Sequence, residues 1–214
     1  GDGGAERPGR GGSHLAAGGV REGVAMTTPT SPSDQEVARI FCEQARRAYE
    51  SRDIFRALFE SDFCPSPRDT VAPHLMEWLN AALQEYALLQ AAKLFDPPES
   101  RDRTNVTFAA IEKRVKDNGL RIKLNELKLS SFYDYIRPIR NRLIAHSDEG
   151  AIMSGLPIGE FPGSEDDKFY ENLQRYVNDV HEYFIGGIFP LRDPVILNDA
   201  LVFMERLKIR LSSP

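Results

Sequence analysis

Residues Arg137 to Asp148, which read RPIRNRLIAHSD, form the stretch from which the fold of this chain is predicted. They close a run of apolar residues at steps of three and four: Phe132, Ile136, Ile139 and Leu143. This spacing gathers the apolar side chains on one face of a helix and leaves Arg140, Asn141 and Arg142 on other faces. These three polar residues are therefore not needed for the apolar seam.

Two features surround this helix. The glycine- and proline-containing segment from Gly150 to Gly163 follows it, which places His146 near a helix end and beside a loop. Pro138 lies inside the helix and lacks a backbone donor, so we expect a kink or a break with restart just before Arg140. A polar site at this end would have both a rigid support and an open side.

The remaining chain predicts an all-α bundle of five to six helices, without strand alternation or internal repeats. The first helix starts at Asp34 with Ser33 or Asp34 as its cap, runs to about Ser61, and turns Arg46, Arg47 and Arg52 to solvent. The next predicted helices are a long one from Pro73 to Phe95 and a short one from Thr107 that ends at Asn118-Gly119. The helix that carries the motif runs from about Asn125 to Ala145. An acidic-capped helix starts at Ser164, and Asp193-Pro194 opens the last helix.

Periodicity also predicts which side chains face the core. In the second helix the inward residues are Leu75, Trp78, Leu79, Ala82, Tyr86 and Leu89. In the acidic-capped helix they are Phe169, Leu173, Tyr176, Val177, Val180 and Phe184, and in the last helix Leu197, Ala200, Met204, Leu207 and Leu211. Because they recur at helical spacing, we expect the aromatic residues in core or dimer contacts and not in base stacking.

The composition indicates one domain. The chain has 214 residues, of which 41% are hydrophobic, enough for a single sizeable core. Gly1 to Ala25 is rich in Gly, Arg and Ala and precedes the first methionine, Met26. We therefore predict a disordered leader over residues 1–33, with Met26 as the natural start, and a helical domain over residues 34–214.

Cysteine usage and hydropathy narrow the class of protein. Cys42 and Cys64 cannot form a disulfide framework, and no Cys or His pair has metal-ligand spacing, so we expect both to be buried thiols in a reducing cytoplasm. No apolar run is long enough to span a bilayer. We expect a cytoplasmic protein without membrane segments or a metal site.

Charge is distributed unevenly along the chain. The formal net charge is -5, which argues against a protein that coats nucleic acid indiscriminately. Residues 113–142 nevertheless hold nine basic and three acidic residues, whereas residues 147–185 hold nine acidic and two basic ones. This segregation indicates either a positive surface suited to an anionic ligand or two helix faces that neutralise each other.

The run from Arg140 through His146 resembles the signature of the HEPN superfamily, in which an Arg followed by a polar residue precedes a His by a gap of four to six residues. The surrounding pattern is most similar to the abortive-infection (Abi-like) branch. It consists of a long helix ending in Lys93-Leu94-Phe95-Asp96, a middle helix, and Arg137 through Asp148. The likeness covers roughly Asp34 to Leu207 and implies a HEPN-like helical bundle.

The resemblance implies a homodimeric endoribonuclease that needs no metal or other cofactor, in phage defence or a toxin-antitoxin system. Arg140 would stabilise the phosphorane charge, His146 would transfer protons, and Asn141 would orient these two side chains. The basic residues around the motif that are candidates for binding RNA are Lys128, Arg137 and Arg142. An antitoxin or a nucleotidyltransferase is a further partner, but Asp148 stands where some HEPN toxins carry the Tyr that such a transferase uses, so the control exerted through that Tyr is not carried over to this chain.

Two questions about the site stay open at this point. Residues six apart on an ideal helix differ by about 120° in direction, whereas Arg142 and His146, four apart, share a face, so either Arg140 or Arg142 could be the working cation. Alternatively the site is structural: Arg140 would pair with a carboxylate such as Asp134 or one in the acidic helix, Asn141 would satisfy backbone groups freed by Pro138, and His146 with Asp148 would cap the helix end. A catalytically inactive helical module that binds a partner protein or a nucleotide is then the alternative function.

Overall fold

The computed structural model describes residues 32–60, 72–100, 103–127, 129–144 and 165–211. In these ranges the chain is a helical bundle, and the predicted all-α fold is confirmed. The helices are α1 (Asp34–Phe59), α2 (Pro73–Lys93), α3 (Phe108–Glu112), α4 (Asn118–Glu126), α5 (Leu129–Ile144), α6 (Glu165–Phe184) and α7 (Pro194–Leu211). Residues 1–31 of the predicted leader, Cys64 and His146 lie outside the described residues. No helix that is described has the length and apolar character to cross a membrane.

Helix α1 is the central helix, since it contacts α2, α6 and α7. It begins where the sequence predicts because the Ser33 hydroxyl accepts a hydrogen bond from the backbone N–H of Glu36 at 3.2 Å. Four of its apolar residues, which recur at helical spacing, are buried: Val37, Phe41, Ala45 and Ala48. Cys42 is buried on the same helix, as predicted.

Helix α2 faces the core with a side that the periodicity did not indicate. Leu75, Trp78 and Tyr86 were predicted to point inward, and they are 55%, 66% and 49% exposed. The buried residues of this helix are Met76, Ala87, Ala91 and Ala92. Because α2 has apolar residues on both sides, spacing alone could not select the inner one, and small alanines allow close approach to α1.

A two-stranded hairpin, β1 (Glu99–Ser100) with β2 (Arg103–Thr104), and the short α3 follow α2. The predicted helix end at Asn118-Gly119 is wrong, because these residues begin α4. The carboxylate of Asp117 accepts a hydrogen bond from the backbone N–H of Leu120 at 2.6 Å. A strong N-cap at Asp117 therefore outweighs the usual association of Asn-Gly with a helix end.

Helix α5 carries the motif. Phe132, Ile136 and Ile139 are buried, which confirms the apolar seam. The helix runs through Pro138 as one element, so the break with restart considered for this position does not occur. Both Pro138 and Asp134, whose carbonyl loses its donor, are exposed, and water can satisfy that carbonyl.

Helix α6 buries the predicted stripe of Phe169, Leu173, Tyr176, Val177 and Val180. Phe132 of α5 stacks on Phe169 with ring centroids 4.3 Å apart, which joins α5 to α6. Helix α7 begins as predicted, because Asp193 accepts a hydrogen bond from the backbone N–H of Val195 at 2.8 Å.

Arg52 of α1 was predicted to face solvent, and this is wrong. It is 8% exposed and meets the first turn of α6, where it pairs with Asp166 at 3.0 Å and with Asp167. Arg56 also binds Asp167, at 2.5 Å, and the Arg52 guanidinium lies 4.6 Å from the ring centroid of Tyr170. The helical period places Arg52 on the polar face of α1. It cannot show that an acidic helix far away in sequence covers that part of the face.

Candidate functional site

Arg140 lies one turn before the end of α5 and is half-buried. Its Nη2 donates a hydrogen bond to Oδ1 of Asp96, and the two side chains form an ion pair in which each is 24% exposed. Arg140 therefore pairs with a carboxylate, as the structural alternative expects, but the partner is neither Asp134 nor an acid of the acidic helix. The acid comes instead from the turn that follows α2, 44 residues away in sequence.

The Lys93-Leu94-Phe95-Asp96 turn is shaped to deliver this carboxylate. The backbone N–H groups of Leu94, Phe95 and Asp96 donate to the carbonyls three residues earlier, at 3.1 to 3.2 Å, which tightens the chain after α2. Leu94 is fully buried, and its carbonyl accepts from the N–H of Phe108 at 2.9 Å. The turn is therefore fixed to the core through Leu94.

Phe95 attaches the same turn to α5. Its ring stacks on Tyr133 with centroids 4.7 Å apart and an interplanar angle of 21°. Tyr133 and Arg140 are both on α5, two turns apart, so the turn contacts this helix at two points. The two parts of the sequence that carried the family resemblance are thus in contact with each other through Phe95 and Asp96.

The ion pair leaves most of the guanidinium free within the described residues. A guanidinium has five N–H donors in a planar fork, and only Nη2 of Arg140 is hydrogen-bonded to a described residue. Asp96 therefore orients Arg140 without occupying the whole fork. A fixed, partly solvent-exposed cation of this kind can bind an oxygen of a phosphate group.

The other predicted site residues divide into two groups. Asn141 and Arg137 are exposed on α5 on either side of Arg140 in sequence, and Arg137 forms no ion pair with a described residue. His146, Lys128 and the side chain of Arg142 lie outside the part of the chain that is described. The choice between Arg140 and Arg142 as working cation, and the roles assigned to His146, therefore stay predictions.

The basic stretch, residues 113–142, and the acidic stretch, residues 147–185, are joined by one observed ion pair between described residues. Lys123 of α4 binds Asp179 of α6 at 2.6 Å. Other cations of the basic stretch pair elsewhere: Arg114 with Asp34 at 3.4 Å and Lys113 with Glu99 at 3.4 Å. Among the described residues the neighbourhood of Arg137 thus keeps an unpaired positive charge.

Two other histidines lie in the described part of the chain, away from the motif on α5. His74 is fully exposed in the first turn of α2, and Nδ1 of His181 lies 2.8 Å from the carbonyl oxygen of Gly187. In the described ranges no three His, Cys, Asp or Glu side chains are grouped as metal ligands. Glu165 pairs with Lys168 at 2.7 Å, and the two acids that follow it bind α1.

Comparison with known proteins adds the family. Residues 34–201 match the model of the AbiU2 family of HEPN domains. No curated protein and no solved structure matches the chain significantly. The match begins at the first residue of α1 and includes the Asp96 turn and the α5 motif, so the contacts described above lie within it. The chain therefore belongs to the AbiU2 family and contains a HEPN domain of the abortive-infection type.

Proposed function

We propose that this AbiU2-type HEPN protein is a metal-independent endoribonuclease of a phage-defence or toxin-antitoxin system. One observation carries the proposal: Arg140 is held at the end of α5 by Asp96, with most of its donors unused by the residues that the structure describes and with exposed Asn141 beside it. A positioned guanidinium next to an exposed amide is the equipment that phosphoryl transfer needs for charge stabilisation.

The chemistry requires one proton to be removed and another to be supplied. The ribose 2′-oxygen attacks the adjacent phosphorus, its proton passes to a base, the bond from phosphorus to the 5′-oxygen breaks, and that oxygen takes up a proton. The products are a 2′,3′-cyclic phosphate and a free 5′-hydroxyl. In our proposal His146 transfers the protons because an imidazole titrates near neutral pH, and Arg140 binds the negative charge that develops on the phosphate.

The proposal includes a homodimer in the cytoplasm, with both motifs lining one cleft. The exposed apolar residues Leu75, Trp78 and Tyr86 on α2 support a contact with a second copy, because large apolar side chains in one helical stripe are typical of an interaction surface. Arg137, Arg142 and Lys128 are the residues that we assign to RNA contacts. An antitoxin or a nucleotidyltransferase is the further partner that the proposal includes.

The test is cleavage of mixed single-stranded RNA by the purified protein in the presence of EDTA. We expect cleavage by the wild type and a loss of about 100-fold or more for His146→Ala and for Arg140→Ala, the magnitude typical of lost proton transfer or charge stabilisation. His181→Ala is the matched control, since His181 belongs to α6, outside the motif and the proposed α2 contact, and its Nδ1 lies against the carbonyl oxygen of Gly187. Absence of cleavage by the wild type, or equal cleavage by His146→Ala and His181→Ala, contradicts the proposal.

The second candidate is a catalytically inactive helical module, and the Asp96 ion pair is the observation that favours it. An internal pair between the α2 turn and α5 can serve stability alone. In that case Arg140→Ala lowers the free energy of unfolding by about 1 kcal/mol, as expected for a partly exposed pair, and changes no RNA cleavage. Arg140→Lys separates the two candidate functions, because lysine keeps the positive charge for the ion pair with Asp96 but lacks the planar guanidinium fork that the nuclease needs.

A further inference from the structure

A polar pocket of about 380 Å³ lies beside the Asp96 turn. It is formed by α1, the last turns of α2, and the segment from β2 to the start of α3, and the described residues that line it are polar or charged apart from Val106. Its volume is at the lower end of the range of about 300 to 1,000 Å³ for small-ligand sites. The pocket can hold a single nucleotide unit and not a much larger group.

Two helices present the same pair of residue types to this pocket. On α1 these are Gln44 and Arg47, and on α2 they are Gln90 and Lys93. Residues three apart share a helix face, and α1 packs against α2, so an amide and a cation from each helix line one space. Neither Arg47 nor Lys93 forms an ion pair with a described residue.

The acid in the pocket does not cancel these charges. Asp96 lines the wall, but its carboxylate is already paired with Arg140. Arg47 and Lys93, which form no ion pair with a described residue, therefore make the pocket positive, and this selects an anionic ligand. Because it contains no aromatic side chain among its described residues, the pocket recognises its ligand through charge and amide hydrogen bonds and not through stacking.

We propose that this pocket binds the nucleotide next to the scissile phosphate of the RNA substrate. Arg47 and Lys93 contact the phosphate oxygens of that nucleotide, and the amides of Gln44 and Gln90 hydrogen-bond its base edge. Asp96 connects the pocket to Arg140, so a strand bound here continues toward the motif on α5. The inference rests on the proposed ribonuclease function and adds a substrate subsite on α1 and α2.

Binding is measured by fluorescence anisotropy with a labelled single-stranded 2′-O-methyl RNA, which cannot be cleaved because its 2′-oxygens are blocked. For the double variant Arg47→Ala with Lys93→Ala we expect Kd to rise about 10-fold to 100-fold. The slope of log Kd against log salt should fall by about 0.7, since both cations contact the phosphate of one nucleotide and each phosphate neutralised on a single strand contributes about 0.7. Gln90→Leu should change the preference among four homopolymers and leave the salt slope unchanged.

The matched control is Arg175→Ala with Arg206→Ala, which removes the same charge from exposed positions on α6 and α7 outside the pocket. If it weakens binding as much as the pocket variant, or if the pocket variant binds like the wild type, the inference is wrong. It is also wrong if the wild type does not bind the blocked RNA. Circular dichroism verifies that each variant is folded, and Arg47→Gln with Lys93→Gln repeats the test with side chains that retain helix propensity.

Cleavage of unmodified RNA by the same proteins separates this inference from the proposed function. If the wild type binds blocked RNA through the pocket but cleaves nothing, the ribonuclease proposal fails and the pocket remains an RNA-binding site. If the wild type cleaves RNA and the pocket variant binds and cleaves equally well, the subsite is refuted and the ribonuclease proposal is unaffected.

Discussion

Replacing Arg52 by methionine tests the charge cluster that joins α1 to α6. Methionine keeps an unbranched aliphatic stem and removes the guanidinium, which binds Asp166 and Asp167 and lies over the ring of Tyr170. Breaking a fully buried ion pair costs about 3 to 5 kcal/mol, whereas an exposed pair is worth about 1 kcal/mol or less. Arg52 is nearly buried but the Asp167 side chain is 47% exposed, so we expect an intermediate loss of about 2 kcal/mol at pH 7.

This loss should depend on pH in a defined direction. Partial burial raises the pKa of Asp167, but hydrogen bonds and charges from Arg56 and Arg52 lower it by more, so the net pKa lies below the ordinary value of 3.8. The stabilisation is therefore complete above pH 3.8 and is lost as the pH falls through the lower pKa of the folded state. The difference between wild type and Arg52→Met should be the same at pH 7 and pH 5 and should shrink below about pH 3.8.

Urea unfolding followed by circular dichroism gives the free energies at each pH. In thermal unfolding the same loss should appear at pH 7 as a fall in Tm of about 4 to 8 °C for a domain of this size. Arg47→Met is the control on the same helix, because Arg47 is exposed and has no ion pair among the described residues, and it should change stability by less than about 0.5 kcal/mol. A loss below about 0.5 kcal/mol for Arg52→Met, or a loss that stays constant down to pH 3, refutes the reasoning.

Three further predictions follow from caps, burial and exposure. Asp117→Ala should lower the free energy of unfolding, measured with urea, by about 1 kcal/mol because α4 loses its N-cap. Asp117→Ser should retain most of the stability that the cap provides. Equal losses in the two variants would contradict the role of Asp117 as the cap. Burial, aided by the charge of Glu43, raises the pKa of the Cys42 thiol to about 12. A thiol reagent at pH 8 should therefore label Cys42 only in denaturant. Labelling of Cys42 in the folded protein, detected by peptide mass spectrometry, would show that the helix is misplaced. Trp78, the single tryptophan, is 66% exposed, so acrylamide should quench its fluorescence in dilute folded protein nearly as well as in the unfolded chain. Protection from quenching that disappears on dilution supports self-association through α2. Protection at every dilution contradicts the exposed position of Trp78.

Helices with one apolar face could be predicted from the sequence, and those with two could not. The stripes on α1, α5 and α6 follow a single helical period, and their burial agrees with it. Helix α2 has leucines and aromatics on one side and small alanines on the other, and the packing of α1 against the alanines is a tertiary preference that hydropathy does not encode. The start of α4 was missed for a local reason, because Asp117 was not weighed as a cap against the Asn-Gly that follows.

The site could be located from the sequence, but its partners could not. Spacing and resemblance identified Arg140 and Asn141, and both lie near the end of α5. The carboxylate of Asp96 belongs to a stretch that the resemblance included, yet its contact with Arg140 depends on how the α2 turn packs on α5. Arg52 was assigned to solvent for the same reason, since its acidic partners follow more than 110 residues later. A pattern within one helix carries no information about which other helix covers it.

The central place of α1 has a consequence for how the protein is made. The inner face of this first helix is completed by rings from α6, with Phe41 against Tyr176 and Tyr49 against Tyr170. These partners are translated more than a hundred residues after α1, so a nascent chain that ends before α6 leaves the helix without them. The ribosome must release nearly the whole domain before its core can close, and the Asp96 turn and α5 acquire their final support only at that stage.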